Sequence, residues 1–152
     1  MMNNHSNRVW KLLSLVLLAL VAGACGGDSD GGGAAANKSD WEEQHGATVR
    51  AVSTDVDASD QALTQGDRAL ILSSCNQLEE DLVDARDALP VPDATVDGSL
   101  RAAFDAIDTA GDTCLRGARI ANDNHLVEQA QREMKDARSK MDEAERAIEN
   151  WR

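Results

Sequence analysis

The chain has 152 residues, 27 acidic against 15 basic, with a formal net charge of −12. So acidic a balance excludes nucleic acid as a partner, because its binders need a basic face. It equally excludes electrostatic attachment to anionic lipid. The length fits one small domain, large enough to bury a core.

Residues 1–24 read as an export signal. Arg8 and Lys11 lie in the charged start, and the apolar run Leu12 to Ala24 (LLSLVLLALVAGA) is broken only by Ser14 and Gly23. A membrane span needs about 20 apolar residues. This shorter run suits the central region of a signal peptide instead. Small residues, Ala22-Gly23-Ala24, then lead directly into Cys25.

This junction resembles the lipobox of bacterial lipoproteins. The resemblance implies that Cys25 is alkylated by diacylglycerol and that cleavage before it makes Cys25 the acylated N-terminus. It also implies that the protein is held at the extracytoplasmic face of the cell membrane. Two acyl chains hold a protein on a bilayer stably where one does not. The chain from Cys25 onward would carry 13 basic and 27 acidic residues, a net charge of −14.

Residues 26–38 (GGDSDGGGAAANK) contain nothing apolar enough to bury. They read as a flexible tether, so the expected organisation is signal peptide 1–24, lipidated tether 25–39 and folded domain 40–152. About 15 residues of such a tether give a root-mean-square reach near 20 Å.

From Ser39 onward the apolar spacing is helical, and no segment reads as a strand. Ser39 and Glu42 are spaced as in a capping box. The first helix then runs to about Thr64 on the stripe Trp41, His45, Thr48, Val52, Val56, Ser59 and Leu63. Frequent Thr, Ser and Asp make it the weakest of the set. Gly66 and Asp67 look like a helix stop and an N-cap. One helix running through both is the competing reading.

The second helix carries Ile71, Cys75, Leu78, Leu82, Ala85 and Leu89. It must end by Leu89, since Pro90 disfavours a helical residue before it. Pro90-Val91-Pro92-Asp93 is a stiff turn whose aspartate can cap the third helix. That helix shows Val96, Leu100, Ala103, Ile107, Ala110, Cys114, Gly117 and Ala121, with Gly98 weakening its first turn. Asn122-Asp123-Asn124 reads as a break. The fourth helix has the clearest stripe: Val127, Ala130, Met134, Ala137, Met141, Ala144, Ile148 and Trp151. Glu128/Arg132, Asp136/Lys140 and Asp142/Arg146 are acid-first i,i+4 pairs on its surface.

Short connections make successive helices antiparallel, so the expected fold is an all-α, up-down four-helix bundle. Exported cysteines in even number read as disulfides. With Cys25 lipidated, Cys75 and Cys114 remain. Cys75 lies eight residues after Asp67 and Cys114 seven before Ala121, which puts them at one level of antiparallel neighbours. The topology also brings Trp41 and Trp151 together at the tether end, either as core caps or as an exposed aromatic patch.

The layout Gly66-Asp67, Cys75, Pro90-Val91-Pro92-Asp93 and Cys114 is similar to that of small lipoproteins of high-GC Gram-positive bacteria. The likeness covers about 50 residues and implies the compartment and the disulfide, with no activity attached.

Chemistry-bearing patterns are few. Nucleophilic hydrolysis needs a Ser or Cys with a His base and an orienting acid. The domain holds only His45 and His125 and no Gly-x-Ser-x-Gly. His45 reads as an end residue of the first helix, and His125 as a surface residue at a turn. Asp55-Val56-Asp57-Ala58-Ser59-Asp60 begins like a calcium loop. It then offers Asp60 and Gly66 where such a loop needs Gly and Glu. The two Glu-x-x-His motifs of a di-iron bundle do not occur, since Glu42-x-x-His45 stands alone, and phosphate-binding glycine loops do not occur either.

The function expected is a non-enzymatic interaction or accessory module of the cell envelope, using neither cofactor nor metal, with an envelope protein as partner. The alternative is a ligand- or cation-sensing bundle, which requires a cavity, such as the small residues near Cys114 could open, or a cluster of acids.

Overall fold

A computed structural model describes residues 32–120 and 124–152, with side chains described from Asn37 onward. The signal segment, Cys25, residues 26–31 and the break at 121–123 lie outside the described residues. The described chain forms four helices, α1 (Gly32–Gln65), α2 (Arg68–Ala85), α3 (Ala94–Arg119) and α4 (Asn124–Asn150). A single 3-10 turn, Arg86–Ala88, extends α2.

α1 packs on α2 and α4, and α3 packs on α2 and α4, closing a four-sided bundle. Contacts between the ends show that neighbours run antiparallel. At one end, Lys38 Nζ donates to the carbonyls of Glu149 and Trp151, and Trp41 Nε1 donates to Ala88 O at 3.0 Å. At the other, Gln131 Nε2 donates to Leu63 O, and the Arg68 guanidinium donates to Ala118 O.

The boundaries follow from local chemistry. Gly66 takes φ +72°, a left-handed conformation that ends α1 at little cost only because it has no Cβ. Asp67 then caps α2, its carboxylate accepting from Ala69 N and Leu70 N. α1 and α2 are therefore separate helices. Asp93 caps α3 in the same way through Thr95 N and Val96 N. Gly98 does not delay α3, which starts at Ala94. The cap satisfies the first turn, and the Asp97 carboxylate pins it further by accepting from Val91 N at 2.9 Å and Arg101 Nε at 2.7 Å.

Two expectations about α1 differ from the observed helix. It begins at Gly32, inside the segment read as tether, so Ser39 is interior and is not an N-cap. Ala34, Ala35 and Ala36 have the highest helix propensity. Lys38 ties the same stretch to the last carbonyls of α4, where a cation is favoured. In the middle of α1, Val49 is buried and Thr48 only half-buried. One 34-residue helix drifts past a strict seven-residue spacing.

The core runs the length of the bundle. Phe104, Leu78, Leu100, Ile107, Met134 and Met141 are among its largest fully buried side chains. On α4, Ala130, Ala137 and Ala144 alternate with Met134 and Met141, all buried, which lets α3 approach closely. Of the expected α4 ion pairs, none closes to ion-pair distance among the described residues. Arg138 instead reaches across to Asp57 of α1 at 3.2 Å.

Candidate functional site

The cysteines on the α2 and α3 stripes meet. Cys75 and Cys114 are bridged, with S–S 1.98 Å and Cα–Cα 6.4 Å, and both are fully buried. The small residues near Cys114 permit close helix approach and do not line an internal chamber. A Cβ on Gly117 would meet the Leu126–Val127 backbone at 3.4 Å, and one on Gly111 would meet Glu79 Cγ at 3.6 Å. At Gly111 and Gly117 the space that a larger side chain would take is occupied by neighbouring helices.

Trp41 and Trp151 close the other end, with ring centroids 5.7 Å apart and each only 6% exposed. They are core caps, and Trp41 has its N–H satisfied by Ala88 O. His45 stacks beside Trp41 at 5.9 Å and is half-buried, whereas His125 is exposed at the start of α4. The two histidines stand at opposite ends of the bundle. Among the described residues, no three His, Cys, Asp or Glu side chains converge to hold a metal ion. The Asp55–Asp60 stretch lies within α1 and forms no loop.

One open groove of about 440 Å³ lies between α3 and α4. Ala102 and Ala106 give it an apolar floor, and Asp105, Arg132, Glu133 and Lys140 give it mixed charge. Its shallow, open form resembles a furrow between packed helices more than the enclosing pockets that bury most of a small ligand.

A further constellation was not read from the sequence. Asp55 of α1 faces Asp81 of α2, and both are half-buried. Burial, then a hydrogen bond with Asp81 and its negative charge, pushes the Asp55 carboxyl up to about 6. Asp55 Oδ2 is buried without a partner, as is Ser59 Oγ one turn on. Asp97 behaves oppositely: Arg101 and then Val91 N–H hold it below the ordinary carboxylate range. The pairing of Asp55 with Asp81 depends on the register between two helices, which no local spacing encodes.

Among the described residues, no helix is long and apolar enough to cross a membrane. Leu12 to Ala24 and Cys25, which carry the anchoring expectation, lie outside them. Comparison of the chain with protein-family models, curated proteins and solved structures yields no match.

Proposed function

We propose that the chain is a lipid-anchored extracytoplasmic protein whose helical bundle is a non-enzymatic interaction or accessory module of the cell envelope. The observation that carries this reading is the buried Cys75–Cys114 bridge. Structural disulfides form and persist outside the reducing cytosol, which agrees with the Leu12–Ala24 apolar run and the Ala22-Gly23-Ala24-Cys25 junction.

The rest of the molecule supports a role by surface contact. The core is closely packed, the histidines are far apart, and no nucleophile–base pair is assembled among the described residues. Acidic residues such as Asp84, Asp87, Asp105, Asp108 and Asp112 are exposed along α2, its terminal turn and α3. Such a face suits a protein partner of basic character. The partner is held near the membrane by the acylated Cys25.

The anchor is tested by fractionation and mass spectrometry in the source bacterium. The N-terminal peptide of the membrane-bound protein should begin at residue 25 with a diacylglyceryl adduct, and Cys25→Ala should leave the membrane fraction. Recovery of an intact 1–24 segment would remove the lipoprotein reading. Crosslinking from α2 and α3 should then trap one partner with the bridged protein, and should trap none with a Cys75→Ser/Cys114→Ser variant.

A further inference from the structure

The bundle is unevenly secured. α2 and α3 are joined by the disulfide, and α3 and α4 share the most extensive helix–helix interface. α1 has neither advantage. Its sequence is rich in Thr, Ser and Asp, which compete with the helix backbone for hydrogen bonds.

Asp55 meets Asp81 on the α1–α2 side of this least secured helix. Gln77 Nε2 donates to Asp81 Oδ1 at 3.1 Å and so orients that carboxylate. Two ionised carboxylates cannot hydrogen-bond to each other, so in the doubly ionised pair Asp55 Oδ2 is buried and unpartnered. Three arginines on the surrounding elements are engaged elsewhere. Arg138 of α4 pairs with Asp57, on the flank of α1 that faces α4. Arg86, in the turn that also packs on α1, pairs with Asp105 and Asp108 of α3. Arg68 of α2 is bound to Ala118 O. The other acid with a buried unpartnered oxygen on α1, Asp60, adds negative charge to the same helix.

We propose that Asp55 and Asp81 form a proton-gated latch between α1 and α2. A shared proton turns the facing carboxyls into a hydrogen bond, and its loss leaves two carboxylates repelling across the interface. The folded-state value of about 6 for Asp55 lies above its ordinary 3.8. A carboxyl raised in this way stabilises the fold, relative to its ionised form, at low pH. That contribution is fully present below about 4 and is lost as pH rises through about 6. α1 is therefore held most firmly in weak acid and loosens from the stapled α2–α3 hairpin towards neutrality. The latch operates whether or not Cys25 carries lipid.

The test uses the full chain in detergent micelles. Carbon-13 NMR of the aspartate carboxyls gives the titration midpoint of Asp55, and amide hydrogen exchange gives the protection of α1 at about pH 5 and about pH 7. Asp55 should titrate near 6 in the wild type and move down in Asp81→Asn. Protection of α1 should fall with rising pH in the wild type. In Asp55→Asn it should stay high at both values, because the amide donates to Asp81 permanently. An Asp55 midpoint in the ordinary carboxylate range overturns the latch, as does an equal pH dependence of α1 protection in the wild type and Asp55→Asn. The wild-type titration decides the question even if a variant fails to fold.

Discussion

Replacing Cys75 and Cys114 together with alanine removes the α2–α3 cross-link and leaves two small apolar side chains in fully buried positions. Alanine avoids the two buried hydroxyls that serine would add. The bridge spans a sequence separation of 39. Closing a loop of that size lowers the entropy of the unfolded chain by about 13 cal/mol/K, or about 4 kcal/mol at 25 °C. With about 2.1 cal/mol/K of unfolding entropy per residue over roughly 120 folded residues, the melting temperature should drop by about 15 °C. Urea unfolding followed by circular dichroism measures the same loss. It should also show a steeper m-value, because the unbridged denatured chain is more expanded. A loss under about 1 kcal/mol with an unchanged m-value would refute this reasoning. The unfolded ensemble would then already hold the two positions together without the bond.

Other perturbations probe separate parts of the bundle. Asp67→Ala and Asp93→Ala each remove a carboxylate that accepts two helix N–H groups. Each should cost about 1 kcal/mol in urea unfolding. The caps lie at opposite ends of the bundle, so the double variant should cost about the sum. Trp41→Ala empties a buried site and strands the Ala88 carbonyl. It should cost about 3–5 kcal/mol and shift the emission of Trp151 to the red, as exposure of its ring requires. Asp97→Ala should lower the melting temperature at neutral pH, and the variant should lose less stability on acidification. The wild-type carboxylate is held below its ordinary 3.8. Its contribution is therefore present above that value and lost as pH falls through the lower folded value.

Much of this fold is legible in the residues. The α2 stripe from Ile71 to Ala85 is buried throughout, Gly66, Asp67 and Asp93 punctuate the helices as their chemistry requires, and the two cysteines meet. These features are local or depend only on helix order. The rest depends on partners distant in the chain. The start of α1 is drawn back to Gly32, where the alanines can propagate a helix and Lys38 finds the end of α4. Gly98 costs α3 its first turn on propensity alone, but Asp97 recovers it through Val91 and Arg101. In sequence Asp55 opens a run that begins like a calcium loop, and Asp81 looks like an ordinary surface acid. Only the sideways register of α1 against α2 makes them a pair.

The early start of α1 changes the mechanics of any anchor at Cys25. Six residues, Gly32 to Asn37, precede the level where Lys38 meets α4, adding about 9 Å of rigid helix beneath the bundle. Between Cys25 and that helix, seven steps of chain reach at most about 25 Å, whereas a leash running to Ser39 would reach about 50 Å. A module on the longer leash sweeps a wide volume in any orientation. With the proposed lipid on Cys25, the shorter reach would keep the Trp41 and Trp151 base nearer the bilayer than the Gly66-Asp67 turn.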